Sequence, residues 1–82
     1  MSEERTDAEK AEDYTAMGHS VGLINAIIAG TKDADDPAED RQARSDRNVA
    51  HLELMVAKTD WSSEDMTDAN AAITAGKAYT AS

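Results

Sequence analysis

Cysteine and phenylalanine are absent from this chain of 82 residues, and proline and tryptophan occur once each. Without cysteine there is no disulfide and no thiolate chemistry, so nothing in the chain calls for an oxidising compartment. Large aliphatics are scarce too. Leu, Ile and Val together number ten, whereas sixteen of the 33 hydrophobic residues are Ala. A chain this short makes one domain, and ten large aliphatics give it a thin core. With a formal charge of −9, the composition approaches the border of intrinsic disorder. Burial against a second copy or another protein is therefore expected to complete the fold. Long apolar runs are also missing: residues 1–13 carry six acids, and the longest stretch dominated by small and apolar residues, Val21 to Gly30, is ten residues. Neither stretch is expected to direct export or to span a bilayer.

What is present reads as three amphipathic helices. Thr6 and Glu9 have capping-box spacing, and Ala11, Tyr14, Met17, Val21, Ile24 and Ile28 follow at steps of three and four, which is one face of a helix. Leu23 and Ile27 widen that face, and Gly30 before a polar run predicts its end, giving a first helix over about 6–30 with an acidic N-terminal segment, 1–13. Asp36 as N-cap and Pro37 at the first helical position predict a second helix over about 37–58, with Val49, Leu52, Met55 and Val56 turned inward. Ser62 has the position of a third N-cap, with Trp61 and Met66 as a hydrophobic staple. This third helix is expected over 62–76 or beyond, Gly76 being either part of the stripe or its stop. Short connections between such helices favour antiparallel neighbours. The expected fold is all-α, a small up-down-up three-helix bundle forming a single domain over 1–82.

In that bundle the apolar segment Val21 to Ile28 lies opposite the polar stretch Asp40 to Asp46. An apolar strip of Val21, Leu23, Ile24, Ile27 and Ile28 is therefore expected to remain for a second copy or another protein to cover. Local twist and repacking is the competing outcome. Gly18, Gly22, Ala26 and Gly30 recur every four residues beside the strip and make a ridge without side chains. A mid-helix Gly costs roughly 1 kcal/mol relative to Ala, so Gly18 and Gly22 call for a packing reason. Flanking charge argues against a membrane setting for this spacing.

Charge is unevenly placed. Residues 1–40 hold eleven acids and three bases, whereas 41–58 hold four bases and two acids. Arg41, Arg44, Arg47 and His51 form a basic stripe that could meet phosphate or an acidic surface. Pairing with the acidic loop beside it accounts for most of that stripe. Direct nucleic-acid binding is not expected, because the domain is neither net positive nor rich in exposed aromatics.

Catalytic patterns are weak. His51-Leu52-Glu53 has the His-x-Glu spacing of zinc deaminases without any Cys partner. Asp33, Asp35 and Asp36 suggest a calcium loop, but Pro37 and Ala38 stand where a ligand and a Gly are needed. His19 and His51 could approach one another across the first hairpin, with Asp13 or Asp46 near. No cofactor, metal or enzymatic activity is expected.

Arg47-Asn48-Val49, His51-Leu52, Met55, Ala57-Lys58, Trp61, Glu64-Asp65, Ala72-Ile73, Ala75-Gly76 and Ala78-Tyr79 together resemble a block in small uncharacterised tailed-phage proteins. The resemblance covers residues 47–79 and leaves 1–46 outside. It implies a phage context, in the virion or the bacterial host cytoplasm, and no assigned enzymatic activity. The leading expectation is a helical structural or assembly protein of the virion, oligomeric or part of a larger assembly. It would make contact through Gly18, Val21, Gly22, Leu23, Ile24, Ile27 and Ile28. The alternative is an acidic accessory protein that inhibits a host nucleic-acid-binding or defence protein by charge mimicry.

Overall fold

A computed structural model describes residues 4–82 as three helices. They are α1 (Asp7–Ala29), α2 (Ala38–Val56) and α3 (Thr67–Ala78), and each packs against both of the others. Among the described residues there is no strand. This is the all-α three-helix bundle that the periodicity predicts. The termini of α1 follow local chemistry. Thr6 Oγ1 accepts from Glu9 N–H at 3.1 Å and Glu9 Oε1 accepts from Thr6 N–H at 2.8 Å, a complete capping box. At the other end Gly30 adopts a left-handed φ of 76° and closes the helix.

The start of α2 departs from expectation. Asp36 does not cap it, because its carboxylate accepts from Arg44 Nη1 at 2.6 Å, and Asp33 pairs with the same nitrogen at 3.1 Å. The helix opens instead on the Pro37 carbonyl, which accepts from Asp40 and Arg41 N–H with no side-chain cap.

The α2–α3 connection is also longer than the spacing suggests. Ser62 does not cap α3. Its Oγ accepts from Lys10 Nζ at 2.9 Å, and its N–H donates to Glu64 Oε1 at 2.8 Å. The helix begins five residues later, where Asp65 Oδ1 accepts from Thr67 N–H at 2.9 Å. Tertiary contact moves this boundary. Trp61 donates its indole N–H to the Met55 carbonyl at 2.8 Å and meets the ring of Tyr14 edge-on, with centroids 6.2 Å apart. Tyr14 in turn donates to the Asp65 carbonyl at 2.7 Å. The connection is thereby held against the first turns of α1 and cannot become helix.

The core is built from Met17 and Ile24 of α1, Val49 and Leu52 of α2, and Ala69 and Ala72 of α3, with Val21, Met55, Val56, Trp61, Met66 and Ile73 partly buried against them. Close approach compensates for the scarcity of large side chains. Gly76 is buried inside α3 rather than stopping it, and an added Cβ there would overlap Val49 Cγ2 and lie 3.5 Å from Ile24 Cγ2 and 3.8 Å from Ser45 Oγ. Only a residue without a side chain lets α3 sit this near.

This packing corrects the expected apolar strip. Ile24 and Ile27 are 0% and 2% exposed, so they belong to the interior and offer no docking surface. The polar stretch Asp40 to Asp46 is interrupted by Ser45, which turns inward at 0% exposure and lies, like Ile24, beside Gly76. Chain beyond α3 also folds back over the start of α2. Gln42 bonds the Tyr79 carbonyl at 3.2 Å and Ala81 N–H at 2.7 Å, and Arg41 bonds the Ser82 carbonyl at 2.7 Å.

Candidate functional site

On the side of the bundle away from α2, α1 and α3 leave a cleft of about 260 Å³ lined by Tyr14, Met17, Gly18, Val21, Asp65, Asp68 and Ala69. The four α1 residues follow one another at steps of three, one and three, which puts them on one helical face. Tyr14 stands at one end, fixed by its bonds to the α2–α3 connection. Gly18 leaves a gap in the α1 wall. Nothing lies within 4 Å of where a Cβ would stand at Gly18, or at Gly22 one turn further on. Both glycines are exposed in mid-helix, and among the described residues no close approach accounts for their propensity cost.

The rim is acidic. Asp65 and Asp68 flank the N-terminus of α3, whose unpaired N–H groups favour negative charge. Bonding to Thr67 holds the Asp65 carboxyl below the usual carboxylate range. Among the described residues neither aspartate has a cationic partner. The cleft thus offers an apolar floor and two carboxylates without a cation among the described residues, of which Asp65 already accepts from Thr67.

The contact residues expected on α1 divide into three groups. Gly18 and Gly22 are open to solvent, and Gly18 lines the cleft with half-buried Val21. Leu23 is half-buried and Ile28 is 38% exposed at the far end of the helix. Ile24 and Ile27 are inside, as described above.

The basic stripe is largely occupied. Arg41 bonds the Asp36 carbonyl, the Tyr79 hydroxyl and the Ser82 carbonyl. Arg44 is the cation held by the acidic loop, where Asp33 and Asp36 of the calcium-like spacing both pair with it. His51 Nδ1 lies 2.8 Å from Ser20 Oγ, whereas His19 is exposed and takes no part. Arg47 alone of the four has no bonded partner among the described residues. No group of His, Cys, Asp and Glu among those residues is placed to hold a metal ion, and no helix is long and apolar enough to cross a membrane.

Two features escape the periodic reading. One is a charged knot at the Tyr14 end. Arg5 stacks 4.2 Å from the Trp61 ring centroid, donates to Asp13 at 2.6 Å and makes a two-pronged pair with Asp60, whose carboxyl it holds far below the usual range. Arg5 and Asp60 lie 55 positions apart, and no local pattern links them. The other is Leu54, which is 70% exposed on α2. Helical spacing alone could have found it, since Leu54 lies two residues from both Leu52 and Val56 and so falls opposite their face. Comparison of the chain with known protein families, with curated proteins and with solved structures finds no match.

Proposed function

We propose that this chain is a non-enzymatic structural or assembly protein, a virion component in the phage setting that residues 47–79 resemble. In this reading it works by contact with a folded protein across the α1/α3 cleft. One observation carries the proposal: of two exposed mid-helix glycines with open space where a Cβ would stand, Gly18 lines an apolar cleft, and the carboxylates of that cleft have no cationic partner among the described residues. A backbone ridge of this kind lets another element approach α1 closely. His51 and Asp60 are engaged within the fold, with Ser20 and Arg5 respectively.

Photo-cross-linking tests the reading. A benzophenone side chain is placed at position 22, beside the cleft, and separately at position 35, in the exposed α1–α2 loop, and each variant is irradiated in the cells that produce the protein. Protein adducts from position 22 and not from position 35 are expected. Adducts from neither position, or equally from both, would contradict a specific contact at the cleft.

The acidic-inhibitor reading rests on a different surface, the exposed carboxylates Glu4, Asp7, Glu9 and Glu12 around the first turns of α1. It requires binding that weakens steeply with salt and a footprint on those turns. A contact seated in the cleft keeps much of its affinity at high salt.

A further inference from the structure

Taking the assembly reading as its premise, we infer that the occupant of the α1/α3 cleft is the outward face of α2 of a second copy, with Leu54 entering the cleft and Arg47 meeting Asp65 and Asp68.

Four observations converge on this occupant. First, Leu54 is 70% exposed, and a large aliphatic standing clear of the surface is the kind of group a neighbouring protein buries. Second, its surroundings suit docking. Arg47 and Ala50 precede Leu54 by seven and four residues, on the same face of α2, and Lys58 lies just past the helix end; all are exposed. The face therefore presents one apolar knob between small residues and positive charge. Third, the cleft is its complement in both respects. Its floor is Met17, Gly18, Val21 and Ala69, its rim carries two aspartates without cations, and its α1 wall lacks a Cβ where a helix would lean on it. Among the described residues Arg47 and the two aspartates have no ion-pair partner, and pairing them between copies satisfies both sides. Fourth, the cleft, at about 260 Å³, has room for a single branched side chain such as that of Leu54.

The topology then dictates the kind of assembly. In a three-helix bundle the groove between α1 and α3 lies on the side opposite α2, so the outward face of α2 points away from the chain's own cleft. A copy cannot fill its own cleft, and two copies cannot fill both at once by facing each other. The contact is heterologous and, repeated between opposite faces, extends as an open row rather than closing as a pair.

The test uses two variants that each disable one side. Leu54→Asp removes the knob and keeps the cleft; Gly18→Trp fills the cleft and keeps the knob. Position 18 is open to solvent, so the bundle accommodates the Trp, and helical circular dichroism verifies this. Asp68→Lys is a second cleft-side variant that adds no bulk. By light scattering the wild-type mass is expected to climb steadily from 8.8 kDa with concentration, without a plateau at the dimer. Each single variant is expected to stay monomeric. Mixing Leu54→Asp with either cleft-side variant should give a complex that stops at two chains, because only one knob and one cleft survive. Three results would overturn the inference: a wild type that stays monomeric up to millimolar concentration, a Leu54→Asp variant that associates like the wild type, or a mixture that remains monomeric. The cross-linking test separates this failure from failure of the assembly reading. Position-22 adducts to a different protein would keep the cleft as a contact site and reject the second copy as its occupant.

Discussion

Alanine replacing glycine should have opposite effects at different glycines of this bundle, and the sign at each follows from what surrounds it. At Gly18 and Gly22 a new Cβ meets nothing within 4 Å. The substitution therefore brings only the gain in helix propensity and the smaller unfolded ensemble, about 0.5–1 kcal/mol each. For a domain of this size that is roughly 2–8 °C in Tm per site. At Gly76 the Cβ would overlap Val49 Cγ2, and a side chain branched at its β-carbon has little freedom to move aside. Overpacking typically costs about 1–3 kcal/mol, and Gly76 sits in the last turn of α3, where the propensity gain is small. The net expectation for Gly76→Ala is a loss of about 1–2 kcal/mol. Urea unfolding followed by far-ultraviolet circular dichroism measures all three. It should be run at the lowest workable concentration, so that association does not add to apparent stability. A Gly76→Ala protein as stable as the wild type would refute the close approach of α2 and α3. A loss of stability in dilute Gly18→Ala or Gly22→Ala would mean that the ridge packs inside the monomer.

Ser45 Oγ is fully buried without a hydrogen-bond partner among the described residues, so Ser45→Ala should raise stability by about 1 kcal/mol; a comparable loss in urea unfolding would show that the hydroxyl is satisfied. Trp61 joins the α2–α3 connection to Tyr14 and Arg5, and Trp61→Ala should cost about 2–4 kcal/mol. Because Trp61 is the only tryptophan, Arg5→Ala should shift its emission to the red; an unchanged spectrum would exclude the stacked arrangement. Arg5 holds the Asp60 carboxyl far below its ordinary value, so the unfolded chain binds the proton more readily than the native one. The stability this pair contributes is complete above the unfolded pKa of about 4 and is lost as pH falls toward the depressed native value. Asp60→Asn should therefore be less stable than wild type at neutral pH, with the gap in urea midpoint closing in acid. A gap that stays constant with pH would assign the loss to something other than the ion pair.

How far the sequence discloses this structure depends on how local each determinant is. The ends of α1 were legible because Thr6, Glu9 and Gly30 act on their own turns. The start of α3 was not. Ser62 has the right type and spacing for a cap, but Lys10, 52 positions away, takes its hydroxyl, and the docking of Trp61 leaves the capping bond to Asp65. The burial of Ile24 and Ile27 was hidden for a related reason. A stretch with four charges in seven residues reads as polar, yet Ser45 within it faces the core, and chain from Tyr79 onward bonds the start of α2. At the candidate site the glycine ridge was visible from its spacing alone. The cleft beside it was not, since its carboxylate rim comes from a segment whose course is set by the knot around Arg5 and Trp61. Leu54 was within reach of helical geometry, standing opposite Leu52 and Val56.

Residue-resolved amide chemical shifts of the wild-type protein across a dilution series test the central claim most directly, because they show which surface meets a partner and whether the fold is complete before it does. Concentration-dependent shifts are expected at Gly18, Gly22 and Ala69 on one side and at Arg47, Ala50 and Leu54 on the other, with Ile24, Ser45 and Leu52 unchanged throughout. Shifts confined to Glu9 and Glu12, or a spectrum in which the cleft is indifferent to concentration while the core residues move, would contradict it.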